Sequence, residues 1–360
     1  MNPTKALHQA GQSLWLDNIT RDLFDGTLQG YIEELGITGL TSNPTIFDNA
    51  FQTTSSYDEA IRVAADEGLS EEEIFFKLAI EDLTGAADLF RSIWDRTNGI
   101  DGWVSLEVSP TIAYDPQSTI EAAADLHGKA GRSNLFIKIP GVAEGLQAVE
   151  DAIFAGVPVN VTLLFDRAHY LAAADAYMRG LERRIEAGLD PAVGCVASVF
   201  VSRWDTAHES TEQPDELHNM LGVAQAKETY QAYREVLDSD RWERLANEGA
   251  RPQRLLWAST GTKDRAASDV LYVRALAAPF TINTMPEKTL LAFGDHGEVS
   301  SFLPHDGGNA PEVIARFESA GVDMEALGAR LQKEAADAFV TSWNELIATI
   351  SDKSRALSAA

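Results

Sequence analysis

Short apolar runs bounded by turn residues recur along the chain, with segments of helical spacing between them. The runs are SLWLD (13–17), ITGLTSN (37–43), GWVSLEV (102–108), LFIKIP (135–140), VPVNVTLLF (157–165), VGCVASVFV (193–201), RLLWAST (254–260) and FTINTMP (280–286). Their length, flanking turns and Val/Ile content predict strands buried on both faces. Between them the apolar spacing predicts helices around 21–35, 118–130, 145–155, 167–187, 214–248 and 264–276. Another helix opens with the capping box Ser70-x-x-Glu73 and carries Ile74, Phe75, Leu78, Leu83, Phe90, Ile93 and Trp94 on one stripe. Gly36 suits the C-terminal cap of the helix before the second strand.

Eight strands alternating with helices predict an α/β fold, a single (β/α)8 TIM barrel spanning 1–360, with an open doubly wound sheet as the alternative. Two additions stand out. The polar helical stretch 208–250 follows strand six as an elaboration. The segment 323–351 spaces Leu327, Leu331, Ala335, Phe339, Trp343, Ile347 and Ile350 mostly four apart, predicting a C-terminal amphipathic helix. That stripe must be buried against the barrel or a partner subunit, so a homo-oligomer stays open.

Side chains in a strand alternate between the two faces, and in a barrel the face toward the helices must be apolar. Leu135, Ile137 and Ile139 take that face, which turns Phe136 and Lys138 inward. Val104, Leu106 and Val108 leave Ser105 and Glu107 inside, and Val159, Val161 and Leu163 leave Asn160 and Thr162 inside. Leu14 and Leu16 point out, so Trp15 and Asp17 point in. The same alternation groups Thr41 with Asn43, Ser198 with Phe200, and Trp257 with Ser259. One lysine, two carboxylates and several amides and hydroxyls thus converge on one interior. A packed core would not select them, because each buried polar group needs a partner. Most of the hydroxyls, taken singly, are satisfied by an ordinary buried hydrogen bond. Lys138 differs, because lysine is almost never fully buried unless paired; an ion pair with Glu107 or Asp17 is the structural alternative.

Charge changes the picture further. The chain has 360 residues, with 55 Asp plus Glu against 29 Lys plus Arg and a formal net charge of −26. Such acidity argues against nucleic-acid binding and against docking on an anionic membrane. No run approaches the ~20 apolar residues of a membrane span. The lone cysteine, Cys195, cannot form an internal disulfide, and MNPTKALHQAGQSLWL does not read as a secretory leader, so a soluble, cytoplasmic chain is expected. Histidines fall outside the strands, which speaks against a metal-dependent barrel hydrolase, and no metal site is expected. No G-x-G-x-x-G follows a strand, as a nicotinamide enzyme would want.

An interior lysine has a chemical use. Desolvation disfavours the ammonium, and a free amine attacks a carbonyl to give a carbinolamine and then an imine. The protonated imine withdraws electrons from the neighbouring bond and permits carbon–carbon cleavage. Two carboxylates nearby supply a proton shuttle for the dehydration and a base for a substrate hydroxyl.

The segments LWLDNI, GLTSNPTIF, VSLEVSP, LFIKIPG, VNVTLLF and SVFVSR, in this order, resemble the transaldolases in their longer bacterial form, and ASTGTKD with NTMP extends the likeness to about residue 286. The resemblance implies a (β/α)8 barrel, imine chemistry and no cofactor. It implies transfer of a dihydroxyacetone unit from a ketose phosphate (sedoheptulose 7-phosphate or fructose 6-phosphate) to an aldose phosphate such as glyceraldehyde 3-phosphate or erythrose 4-phosphate, within the pentose phosphate pathway. Sugar phosphates would then be its partners. By that likeness Lys138 forms the imine, Glu107 with Thr162 holds a catalytic water, and Asp17 exchanges a proton with the donor's C4 hydroxyl. Asn43, Asn160 and Ser198 would hold the dihydroxyacetone hydroxyls, with Thr41, Phe200 and Ser259 completing the pocket. Arg203 would bind phosphate, as an anionic substrate of so acidic a protein requires.

Two positions depart from the family. Where many transaldolases read Ser-Phe-Arg after strand seven, this chain has Ser259, Thr260 and Gly261, leaving Lys263 to supply the second charge. Val142 stands where Ser or Thr is usual. The related fructose 6-phosphate aldolases are shorter and usually carry Gln in place of Glu107 and Tyr in place of Phe200, so both residues favour transaldolase.

Overall fold

The computed structural model describes residues 2–207 and 215–358. Eight parallel strands close into a barrel in sequence order: β1 Ser13–Asp17, β2 Gly39–Thr41, β3 Trp103–Glu107, β4 Leu135–Pro140, β5 Val159–Leu164, β6 Cys195–Phe200, β7 Arg254–Ala258 and β8 Ile282–Met285. β8 pairs with β1, so no sheet edge is left open. The closed ring is the fold that eight helix-linked strands predict, and it rejects the open sheet.

Alternation places the two cores. Leu14, Leu16, Val104, Leu106, Ile137, Ile139, Val159 and Val161 belong to the outer layer between barrel and helices. Trp15, Trp103, Phe136, Val196, Leu256 and Ile282 fill the inside. Trp103 and Phe136 stack at 4.0 Å between centroids, and this aromatic layer plugs the lower barrel beneath Lys138, two residues further along β4. Gly39 makes room for that layer, since a Cβ there would stand 2.5 Å from the Trp103 carbonyl and 2.7 Å from the Trp15 ring.

One strand breaks the alternation. Leu163 has φ 61°, and the β5–β6 register shifts between Val161↔Ala197 and Leu164↔Val199. This bulge turns Leu163 into the inner cluster, beside Phe165 and Phe200, and hands the outer position to Leu164. The outward placement predicted for Leu163 is therefore corrected.

Several helices also differ from their expected form. The stretch 21–35 splits into Arg21–Asp25, Thr27–Gly30 and Tyr31–Leu35, interrupted at Gly26 with φ 114°. The expected 214–248 helix breaks into Leu221–Leu237 and Asp240–Asn247, the second capped by Ser239 on the Trp242 amide. Residues 208–214, the start of the predicted elaboration, lie outside the described residues. Of 264–276 only Leu271–Ala275 is helical. The apolar pattern does not announce the helices Pro3–Gln9, Pro44–Thr53, Asp58–Asp66, Glu287–His296 and Ala310–Ser319.

The C-terminal helix runs from Met324 to Ser358 and lies against this chain's own barrel. Its stripe divides between the two cores: Leu331, Ala335 and Phe339 join the inner cluster at the mouth, while Trp343, Leu346 and Ile350 join the outer one. Among the described residues no helix is long and apolar enough to cross a membrane.

Candidate active site

Polar side chains gather at the C-terminal ends of the strands, where barrel enzymes carry their chemistry. The register brings Glu107 opposite Lys138, and Lys138 opposite Asn160. Lys138 Nζ donates to Glu107 Oε2 at 3.0 Å and to the Ser42 carbonyl at 3.0 Å. Both side chains are buried, Lys138 at 5% and Glu107 at 4% exposure. The ion pair considered as the structural alternative thus exists, and it stands beside an open cavity.

That cavity, of about 490 Å³, collects ten of the twelve candidate residues: Asp17, Thr41, Asn43, Lys138, Thr162, Ser198, Phe200, Arg203, Ser259 and Lys263. A larger, mainly apolar hollow of about 620 Å³ lies on the barrel flank, lined by residues such as Leu69, Phe76 and Leu126. Its charged lining residues, Glu72, Glu73, Lys77, Glu81, Asp125 and Lys129, come from the outer helices and none from the strand ends, so the mouth cavity is the candidate site. Among the described residues no three or more His, Cys, Asp or Glu side chains gather as a metal site would.

Glu107 and Asn160 do not line the cavity. Glu107 reaches it through Lys138, and its other oxygen, Oε1, has no hydrogen-bond partner. Asn160 is fully buried, donating to Ser105 Oγ at 3.1 Å and accepting from Ser198 Oγ at 2.6 Å. It therefore orients Ser198, which does line the cavity. Thr162 also lines it, and its buried hydroxyl is unpartnered. A buried hydroxyl and a buried carboxylate oxygen, both unpaired, are groups that a bound water or substrate hydroxyl can satisfy.

Asp17 accepts from Thr41 Oγ1 at 2.7 Å, and Thr41 also bonds Thr284 Oγ1 at 2.6 Å. Burial raises the Asp17 carboxyl above its ordinary range, against the pull of Lys138, the Thr41 hydrogen bond and Lys263. Burial likewise raises Glu107; Lys138 opposes the rise and the Asp17 charge adds to it. Both carboxyls are thus shifted toward holding a proton.

Asn43 ends β2's loop with its Oδ1 accepting from the Ile46 amide at 3.1 Å, capping Pro44–Thr53. Its amide nitrogen stays available to the cavity. Arg203 sits on the short helix Ser202–Thr206 just past β6, its guanidinium 5.6 Å from the Phe200 ring centroid. Among the described residues no hydrogen bond or ion pair engages it. Asp205 on the same helix accepts from the Leu221 and Gly222 amides at 2.9 and 3.1 Å and from Tyr272 at 2.8 Å, fixing that helix. Ser259, with φ 55°, bonds Ser202 at 2.9 Å and turns the chain toward Lys263, which lines the same cavity as Arg203. Two cations therefore border a cavity whose floor holds the lysine.

Strand parity misses several contributors. Thr45, Ile46 and Asn49 come from Pro44–Thr53, Thr284 from β8, and Phe339 from the C-terminal helix. Parity along β8 could have shown Thr284 beside Ile282. Nothing local to Phe339 marks it as a site residue rather than core.

The family described as Transaldolase/Fructose-6-phosphate aldolase matches residues 14–350. A transaldolase of Thiobacillus denitrificans is 43% identical, covering 97% of this chain and 100% of the relative. Transaldolases of Renibacterium salmoninarum and Saccharopolyspora erythraea are each 42% identical over 97% of this chain, with 96% and 97% of the relatives covered.

Proposed function

Because the chain belongs to the transaldolase/fructose-6-phosphate aldolase family, we propose that it is a transaldolase that moves a dihydroxyacetone unit between sugar phosphates through an imine on Lys138. The donor is a ketose phosphate such as fructose 6-phosphate or sedoheptulose 7-phosphate. The acceptor is an aldose phosphate such as erythrose 4-phosphate or glyceraldehyde 3-phosphate, as the pentose phosphate pathway uses. One observation carries the reading: a buried lysine nitrogen, 3.0 Å from a carboxylate, borders a polar cavity that also holds a second carboxylate and two cations.

The Lys138 amine attacks the ketose carbonyl carbon, and the oxygen leaves as water. Glu107, in contact with the nitrogen and shifted toward protonation, delivers the proton that this departure needs. Its unpaired oxygen and the Thr162 hydroxyl are suited to hold the water involved. Asp17 takes the proton from the C4 hydroxyl as the C3–C4 bond breaks, and the imine accepts the electron pair. The aldose phosphate departs, the retained three-carbon enamine attacks the acceptor aldehyde, and Asp17 returns its proton; water then adds to the new imine carbon and the C–N bond breaks, releasing the product ketose phosphate and restoring Lys138. Lys138 itself provides the electron sink, so the cycle calls for no cofactor. Arg203 and Lys263 hold the phosphate, Lys263 taking over from the family's second arginine. Phe200, without a phenolic hydroxyl, supports transfer over simple aldolase chemistry.

Borohydride added with fructose 6-phosphate tests this. A reduced three-carbon or six-carbon adduct on Lys138, located by peptide mass spectrometry, is expected. An adduct on another lysine, or an active enzyme with no adduct, overturns the assignment.

A further inference from the structure

Phe339 enters the cavity from the C-terminal helix Met324–Ser358, which lies outside the barrel strands. Its ring centroid lies 5.7 Å from Lys138 Nζ and 6.5 Å from the Phe200 ring, and the residue is only 8% exposed. Much of the remaining wall is polar, formed by Asp17, Thr41, Asn43, Thr162 and Ser198. The ring is the apolar cover over the reacting nitrogen.

The cover is pinned on both sides. Seven residues earlier and on the same helix face, Gln332 Nε2 donates to the Leu163 carbonyl at 2.9 Å and to the Gly141 carbonyl at 3.2 Å. The Leu163 bond is made at the bulge in β5, next to Thr162. Beyond Phe339, Trp343 packs edge-on against Phe75 at 5.1 Å, and Thr349 donates to Asp48 at 2.7 Å. A helix held at four points places the ring as a fixed wall.

We propose that Phe339 determines the partition between transfer and hydrolysis by keeping bulk water from the lysine-bound three-carbon unit; this rests on the imine reading above. After the first aldose leaves, that unit has two fates. Its nucleophilic carbon attacks the acceptor aldehyde, forming a carbon–carbon bond while the aldehyde oxygen gains a proton. Otherwise that carbon takes a proton from solvent, water adds its oxygen to the imine carbon, the C–N bond breaks, and free dihydroxyacetone leaves with Lys138 restored. An apolar ring over the nitrogen limits water delivery from the solvent side, and its negative face stabilises the cationic imine against attack.

The test measures dihydroxyacetone released per transfer event, with fructose 6-phosphate and erythrose 4-phosphate, for the parent, Phe339→Ala and Phe339→Leu. Being a ratio within each sample, it is insensitive to the fraction folded. Alanine is expected to raise the ratio about tenfold, while leucine, which keeps apolar volume, stays within about twofold. An alanine ratio within about twofold of the parent, or a leucine ratio as high as alanine's, overturns the proposal. Borohydride trapping in the same samples separates the two readings. Absence of a Lys138 adduct in the parent defeats the imine; an adduct with an unchanged partition defeats only the role of Phe339.

Discussion

The side-chain nitrogen of Lys138 stands 3.0 Å from Glu107 Oε2, and the two residues are register partners on neighbouring strands. The pair is nearly sealed from water, so each charge depends on the other, and in the proposed mechanism Glu107 is placed to pass a proton to a substrate oxygen. Structure and chemistry thus use the same contact.

Glu107→Gln keeps the shape and removes the proposed proton shuttle. Turnover is expected to fall by about 10²–10⁴, with slowed formation of the borohydride-trapped adduct. Turnover within about tenfold of the parent would place the shuttle elsewhere. Glu107→Ala should also lower stability, by about 3–5 kcal/mol, because it strands a buried lysine.

In the proposed mechanism Asp17 must be ionised to accept the hydroxyl proton, and burial holds its carboxyl above the ordinary range. Activity should therefore decline, as pH falls, at values above the ~3.9 of a free aspartate. Thr41 donates to the ionised form, so Thr41→Val should move this acid limb of kcat/KM to higher pH. A limb that stays put or moves down in the variant contradicts the assignment.

Arg203→Ala should raise KM for phosphorylated donors about tenfold or more, with little change for unphosphorylated dihydroxyacetone. Lys263→Ala should act in the same direction but less, since Lys263 is exposed while Arg203 is half-buried. Equal effects on phosphorylated and plain substrates would remove these residues from phosphate recognition.

At the opposite end of the barrel, Arg254 donates to Ser13 Oγ at 2.7 Å and to the Thr281 and Ile100 carbonyls at 3.0 and 3.1 Å. Ser13 in turn donates to Asp101, which also accepts from Trp15 at 3.0 Å. Arg254→Ala leaves this carboxylate without its counter-charge, and unfolding in urea should show a loss of about 3–5 kcal/mol. The kcat/KM of the folded fraction should stay within about twofold, as the N-terminal face carries stability rather than chemistry. A large kinetic defect with unchanged stability would reverse that division.

Much of the site was legible because a strand's geometry is local. Alternation along LFIKIP turns Lys138 inward whatever lies around it, and the same rule turns Asp17, Glu107 and Thr162 inward on their own strands. It failed at Leu163, where one positive φ shifts the register, and it failed in grouping Trp257 with Ser259: Trp257 joins the outer cluster, while Ser259, with φ 55°, lines the cavity. It was also silent on depth. Asn160 and Ser198 share the inward face, yet Asn160 lies beneath the cavity and orients Ser198 rather than lining the wall.

Sequence by itself determined the strand–helix alternation, the inward lysine with its carboxylates, and the apolar stripe of the last helix, because each depends on spacing between neighbouring residues. Tertiary structure alone decided that Glu107 and Lys138 are partners, that Lys263 borders the same cavity as Arg203, and that Phe339 covers the Lys138 nitrogen from some 200 residues away. Those relations depend on barrel closure, loop paths and helix docking, which are settled by contacts between distant segments and leave no local periodic trace.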